Sequence, residues 1–229
     1  MTIVLDGTLI EESAAAFGTL ARGDRTPFFA NHATLIATES YYPRDSEMFG
    51  EGEPAEHVYQ IIRGAARSYK LLSDGRRQIG AFHLPGDIFG LERNGAHRLT
   101  AEAIIDTSVR MVKRQALETS ARIDADIACG LWTIAAGDLR HAEDHMLLLG
   151  RKTAVERVAA FVLEMDRRLS RAGMLALPMG RRDIADYLGL TLETISRTLS
   201  QLHDEGVLAF SGARQITLRN RSRLAALNA

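Results

Sequence analysis

The sequence predicts an α+β protein in three successive parts: an N-terminal antiparallel β-roll, a long helix, and a C-terminal winged helix-turn-helix. Three observations carry this expectation. Between Tyr41 and Val112, short β-rich runs alternate with turn signals. From Arg114 to Leu149 the texture is helical. Near the end, "RRDIADYLGLTLETISRTLSQLHDEGVL", residues 181–208, has two amphipathic runs joined at a glycine. The expected divisions are 1–113 for the roll, 114–149 for a dimerisation helix and 150–229 for the winged unit. A chain of 229 residues, 46% hydrophobic and 25% charged, has the length and composition for two real cores.

Residues 1–38 read as a short helix or two with an irregular lead-in. The runs "HVYQIIRG", "AARSYKLL", "RQIGAFHL" and "TSVRMV" follow, punctuated by "FGEGEP", "SDG", "LPGD" and "ERNG". Short strands at this spacing read as a small antiparallel barrel or roll. In the helical stretch, Ile123, Ile127, Leu131, Ile134, Leu139, Ala142, Met146 and Leu149 recur mostly at three- and four-residue steps, with 134 to 139 out of phase. The stripe is longer than the roll covers, so the helix is expected to pair with its own copy; packing on its own domain is the alternative. Gly150 is expected to break the run. Thr153 and Glu156 then make a T-x-x-E capping box, with Val155, Val158, Val162, Met165 and Leu169 on one apolar face. A break and a capped restart predict a hinge near 149–153.

In the C-terminal stretch, Gly180 or its neighbour is expected to cap a first helix with Ile184, Tyr187 and Leu188 inside, and Gly189 to end it in a left-handed turn. Thr191 caps a second helix with Ile195, Leu199 and Leu202 inside, which Gly206 stops. "VLAFSGARQITL" reads as a hairpin turning near Ser211 and Gly212. Helix, tight turn, helix and wing are the parts of a winged helix-turn-helix. Leu192, Glu193, Ser196 and Arg197 then share the outer face of the second helix's first two turns, where DNA readers meet base edges. An Arg there suits guanine O6 and N7, and a Glu suits cytosine N4. The alternative is an exposed i,i+4 ion pair. Arg182, Thr191, Thr194 and Arg214 are expected on the DNA backbone. Charge agrees: residues 1–150 hold 15 Lys+Arg against 21 Asp+Glu, a balance of −6, whereas 151–229 hold 13 against 8, or +5.

Several function classes drop out. A single cysteine, Cys129, excludes an intramolecular disulfide framework and any thiolate cluster, and fits a reducing cytoplasm. The N-terminal "MTIVLDGTLIEESAAAFG" lacks the basic and apolar regions of a signal peptide, and no run approaches the roughly 18 apolar residues of a membrane span. No nucleophile elbow, P-loop, zinc-protease or dinucleotide motif is visible, so no enzyme is expected.

Together, "DIADYLGLTLETISRTLSQLHDEGVL", with E-x-x-S-R at Glu193, Ser196 and Arg197, "HVYQIIRGAARSYKLLSDGRRQIGAFHLPGDIFG" and "TAVERVAAFVLEMDRRL" resemble the CRP/FNR superfamily of bacterial transcription regulators, particularly its FixK group. The resemblance implies a cyclic-nucleotide-binding-domain-like roll and a homodimer on a TTGA-N6-TCAA-type double-stranded palindrome. It puts Leu192, Glu193 and Arg197 at base-reading positions and makes RNA polymerase a partner. It also implies activation of microaerobic, nitrogen-fixation or denitrification genes. A regulator answering to a small ligand, nucleotide or haem, is the alternative, with a cupin-like enzyme behind it.

The resemblance also frames the ligand question. In "FGLERNGAHRLTAEA", Leu99 and Thr100 stand where the cyclic-nucleotide branch has its Arg-Ser pair. Arg98 is adjacent but, in a strand, points to the opposite face. The iron–sulfur branch needs N-terminal cysteines, and none precedes Cys129, which is expected as a buried residue of the dimer helix. His141 and His145, with Glu143 and Asp144 nearby, have metal-compatible spacing, but are expected as solvated or inter-helical polar groups. His57, His83 and His97 are expected at the surface. No cofactor and no metal are therefore predicted.

Overall fold

The protein is seen in a computed structural model that describes residues 28–32, 35–92, 95–169, 174–212 and 214–228. Most of the helical lead-in expected for residues 1–38 lies outside the described residues; its end forms a one-turn helix, α1 (Phe28–Asn31).

The roll is made of β1 (Ala37–Tyr42), β2 (Glu47–Phe49), β3 (His57–Arg63), β4 (Ala66–Leu71), β5 (Arg77–His83), β6 (Ile88–Phe89), β7 (Thr100–Ala103) and β8 (Thr107–Lys113). These form two four-stranded antiparallel sheets, ordered β1-β8-β3-β6 and β2-β7-β4-β5. Alternation along a strand assigns each side chain to a layer. On β3, Tyr59 and Ile61 join Phe49, Phe89, Ala101 and Val109 in one core, while Val58 turns to a second core with Val112. The short strands β2 and β6 carry no alternating pattern of their own, and β7 alternates over only four residues, with Ala101 and Ala103 inside. Pairing defines them, as where Ala101 sits opposite both Phe49 and Ser68.

The helix expected over 114–149 is two helices, α2 (Arg114–Ala121) and α3 (Ala125–Arg151). Asp124 separates them. Its backbone is extended, and its carboxylate accepts from the amides of Asp126 and Ile127 at 2.9 and 3.2 Å, so it caps a new helix rather than continuing the old one. Gly150 does not break α3. The helix runs through it and ends where Lys152 turns extended (φ −91°, ψ 145°). At Thr153 the expected capping box forms: its amide donates to Glu156 at 2.7 Å.

The expected apolar stripe divides in two. Ile127 is buried, with Leu131 and Ile134 beside it, against Phe29, Val58 and Leu117, so these residues hold α3 on its own roll. Trp132, Leu139 and Met146 lie outside this contact and are 72%, 61% and 66% exposed. Gly130 explains how α1 gets close: a Cβ there would lie 2.2 Å from the Phe28 ring. Cys129 is exposed in this chain rather than buried.

Beyond the hinge come α4 (Ala154–Leu169), β9 (Met174–Ala176), α5 (Arg181–Leu188), α6 (Leu192–Asp204), β10 (Leu208–Gly212), β11 (Gln215–Leu218) and α7 (Arg221–Leu227). The wing is a three-stranded sheet, β10-β11-β9, because Met174–Ala176 pairs with β11. Its turn falls just after Gly212. The core of this unit (Val158, Phe161, Leu188, Ile195, Leu202) is continuous with Ile79, Phe82 and Leu84 of the roll. One face of the roll therefore carries α2 and α3, and another carries the C-terminal unit. Arg168 of α4 forms a buried ion pair with Asp87 before β6 and closes this contact. Among the described residues, no helix is long and apolar enough to cross a membrane.

Candidate nucleic-acid interface

The interface begins with the turn between α5 and α6. Gly189 adopts φ +61°, a left-handed conformation that suits glycine, and the Leu190 amide then returns to the Ala185 carbonyl at 3.0 Å. Thr191 starts α6 from extended backbone, and its hydroxyl accepts from the Thr194 amide at 3.1 Å. Ile195, Leu199 and Leu202 are buried, so the helix has one rotation about its axis. That rotation leaves Leu192, Glu193 and Arg197 exposed together on the first two turns. Ser196 is half-buried, and its hydroxyl accepts from Arg181 Nη1 at 3.4 Å.

Glu193 lies among the donors of the helix start. Its own backbone amide, followed by the Thr191 hydroxyl and the Arg182 and Arg197 cations, holds its carboxyl below the usual range. It is an anion between two arginines, able to accept a hydrogen bond from an amine. Arg182 is exposed at the start of α5, and Thr191 and Thr194 meet at the start of α6 with their hydroxyls 3.1 Å apart. Arg214 is exposed beside the wing turn, where its Nη1 donates to the Pro178 carbonyl at 3.0 Å. The later turns end in Asp204 and Glu205, which repel phosphate, so only the beginning of α6 suits a polyanion.

Two arginines missed by sequence reasoning build this platform. Arg181 lies 6.0 Å from the Phe210 ring centroid while it holds Ser196, and so joins α5, α6 and the wing. Arg157 donates to the carbonyls of Leu149, Lys152 and Leu188 at 2.8–2.9 Å, satisfying the ends of α3 and α5 at the hinge. Single arginines in a basic segment carry no local signal for either role.

Three histidines correct the expectation of surface positions or refine the metal reading. His83 and His97 are buried: His83 stacks on Phe89 at 4.3 Å and His97 on Phe49 at 3.5 Å. His145 stacks on Tyr187 at 4.2 Å and meets its carbonyl at 2.8 Å, an inter-helical contact between α3 and α5. Among the described residues, no three His, Cys, Asp or Glu side chains converge as metal ligands.

Comparison with known proteins decides the family. Residues 156–227 match the Crp-like helix-turn-helix domain, and residues 39–123 match the cyclic nucleotide-binding domain. The nitrogen fixation regulation protein FixK of Azorhizobium caulinodans is 43% identical over 217 residues, 91% of this chain and 88% of that one. The chain belongs to the CRP/FNR family. The solved structure of FixK2 from Bradyrhizobium japonicum superposes with a TM-score of 0.83 at 72% identity, covering 85% of this chain and 98% of that one. The fumarate and nitrate reduction regulatory protein of Escherichia coli is 34% identical over 199 residues, 84% of this chain and 79% of that one. As a CRP/FNR member with this helix-turn-helix, the chain is a DNA-binding transcription regulator of the FixK and FNR type, not an enzyme.

The CRP/FNR roll raises the matter of a cyclic nucleotide. A cavity of about 800 Å³ lies between the roll and α3, lined by Phe49, Ser68, His83, Phe89, Leu99 and Met146 among others. Its residues do not fit a cyclic phosphate. The cation among its described lining residues is Arg98, which is exposed, and Glu92 and Asp138 share the wall. Leu99 lies 3.5 Å from where a Cβ of Gly80 would be, and the Thr100 hydroxyl accepts from the Glu51 amide at 3.0 Å.

Proposed function

We propose that the chain is a homodimeric regulator that reads a TTGA-N6-TCAA-type palindrome and activates microaerobic, nitrogen-fixation or denitrification genes through RNA polymerase in the cytoplasm. The observation that carries this reading is the exposed Leu192, Glu193 and Arg197 face at the start of a helix fixed by Ile195, Leu199 and Leu202. Arg197 suits the guanine of TTGA and Glu193 the paired cytosine. Ser196 adds a hydroxyl to the same edge. Arg182, Thr191, Thr194 and Arg214 surround that face at places suited to phosphate contact. The FixK relatives support the gene class.

The homodimer rests on α3. Ala125, Trp132, Leu139 and Met146 repeat every seven residues, and Ala128, Ala135, Ala142 and Leu149 take the alternate positions. None of the eight is buried in this chain. Such a seam supports a two-stranded coiled coil, with alanines permitting close approach. Burying each large side chain contributes roughly 1.5–3 kcal/mol. Cys129 then flanks the seam. The proposed units remain the roll (1–113), the dimerisation segment (114–149) and the DNA-binding domain (150–229).

The test is a gel shift with the palindrome and a scrambled duplex of equal length, at two salt concentrations, with and without cAMP. The expected outcome is at least about 10³-fold tighter binding to the palindrome, unaltered by cAMP. Equal affinity for both duplexes contradicts the reading. A tenfold gain with cAMP contradicts the ligand-independent part of it.

A further inference from the structure

Two carboxylates sit where a DNA-binding unit has least use for them. The first helix of the helix-turn-helix, α5, carries Asp183 and Asp186. Neither is left to face phosphate. Asp183 is buried, and Arg67 of β4 donates through Nη1 to both of its oxygens at 3.1 and 3.2 Å. Arg67 Nη2 donates to Glu102 at 2.7 Å. Arg77 of β5 donates through Nη2 to Asp183 at 2.6 Å, and through Nε and Nη2 to Asp186 at 2.9 and 2.8 Å. Next to it, Gln78 Nε2 donates to the Tyr187 carbonyl at 3.3 Å. The β4–β5 hairpin thus grips α5 with planar, fork-shaped donors that fix orientation as well as distance.

The grip and the reading face do not compete. α5 meets the roll through Asp183, Asp186 and Tyr187, while Leu192, Glu193 and Arg197 on α6 stay exposed. α5 and α6 share one core through Ile184, Leu188 and Ile195, so what orients α5 orients α6. The shared core with Phe82 and the Arg168–Asp87 pair hold α4 against the roll, and the Arg67 and Arg77 forks add the polar contacts made directly on α5. The geometry points to Arg67, Arg77, Asp183 and Asp186 as positioning residues that set the direction of each reading helix relative to its roll. In a dimer, that direction sets the separation of the two reading helices, and hence the spacer length of the preferred operator. The inference rests on the proposed dimeric DNA reading and deepens it.

Arg77 and Asp186 are the pair to change, because their side chains keep about a fifth of their surface exposed (19% and 21%), whereas Arg67 and Asp183 are nearly covered and their loss endangers folding. The full-length protein, Arg77→Ala, Asp186→Ala and the double variant are measured on palindromes with spacers of five, six and seven base pairs, and on the preferred spacer with the guanine of TTGA replaced. Circular dichroism melting checks that each variant is folded. The wild type is expected to prefer one spacer by roughly tenfold or more, and each single variant to lose most of that preference. The double variant should lose no more than Arg77→Ala, because that change alone already removes the partner of Asp186 together with the Arg77–Asp183 bond. The penalty for replacing guanine should stay unchanged in all four. Folded variants that keep the wild-type spacer preference overturn the positioning role, as does an equal loss of affinity on every operator. If the wild type prefers no palindrome, the DNA reading itself falls, and the positioning role with it.

Discussion

Ile195 and Arg197 are two residues apart on α6, yet one faces the core and the other solvent. Ile195 is fully buried, so Ile195→Ala should cost about 2–5 kcal/mol of stability. The exposed Arg197 and Glu193 belong to the surface class, whose replacement changes stability by only about 0.5 kcal/mol. Recognition can therefore be altered without unfolding the protein. Glu193→Ala removes an anion from the approach of phosphate. Its affinity for scrambled DNA should hold or rise, while discrimination at the paired cytosine weakens; filter binding on substituted operators checks both. His97 gives a prediction in pH. Burial lowers its pKa from the ordinary 6.5, with Glu92 and Glu53 opposing the shift. Above that value the ring is neutral both folded and unfolded, and the stability is fully present. As pH falls below it, the unfolded chain takes the proton first and stability is lost. Urea midpoints at pH 7.5 and 5.5 should therefore fall more for the wild type than for His97→Gln. Equal falls contradict this account of the buried ring.

At the scale of elements, α3 has two faces with different work. Ile127 and Ile134 hold it to the roll, and Trp132, Leu139 and Met146 stay exposed along the proposed seam. Leu139→Asp should give a folded monomer that binds the palindrome poorly. Ile127→Asp should instead lower the melting temperature, because it buries a charge under the roll. Sedimentation at micromolar concentration, beside thermal melts, separates the two. A Leu139→Asp dimer as tight as the wild type sinks the seam. The sequence shows this stripe only in part. A list of apolar residues at three- and four-residue steps mixes both faces, since each obeys the same period, and it omits Trp132 altogether. The Asp124 cap was likewise hidden, because a helix restart after only three residues leaves the apolar pattern almost in phase. Elements with strong internal chemistry were the legible ones: the Gly189 turn, the Thr191 cap and the Thr153–Glu156 box all appear where their residues predict. Strands β2, β6, β7 and β9 were not legible, because two to four residues are too short a local pattern and distant partners make them strands.

For the whole molecule, the order of roll, helix and winged unit is readable from texture, but the way the parts meet is not. Nothing in "RRDIADYLG" or "RSYKLLSDGRRQIG" announces that Arg67 and Arg77 meet Asp183 and Asp186 across more than 100 residues. Opposite charges are common, and only the fold selects which of them pair. The same limit applies to His83 and His97, which become core residues once the two sheets close over them. The exposed Leu192, Glu193 and Arg197 face is different, because it follows from helix periodicity and one glycine turn. That face is the centre of the functional account, and Arg197 is its sharpest point. Wild type and Arg197→Ala should be titrated against TTGA-N6-TCAA and against the same duplex with both guanines replaced symmetrically. If Arg197 reads guanine, the variant loses about 1–3 kcal/mol per half-site on the first duplex and almost nothing further on the second. If Arg197→Ala weakens both duplexes equally, Arg197 holds phosphate, and base reading by this residue is contradicted.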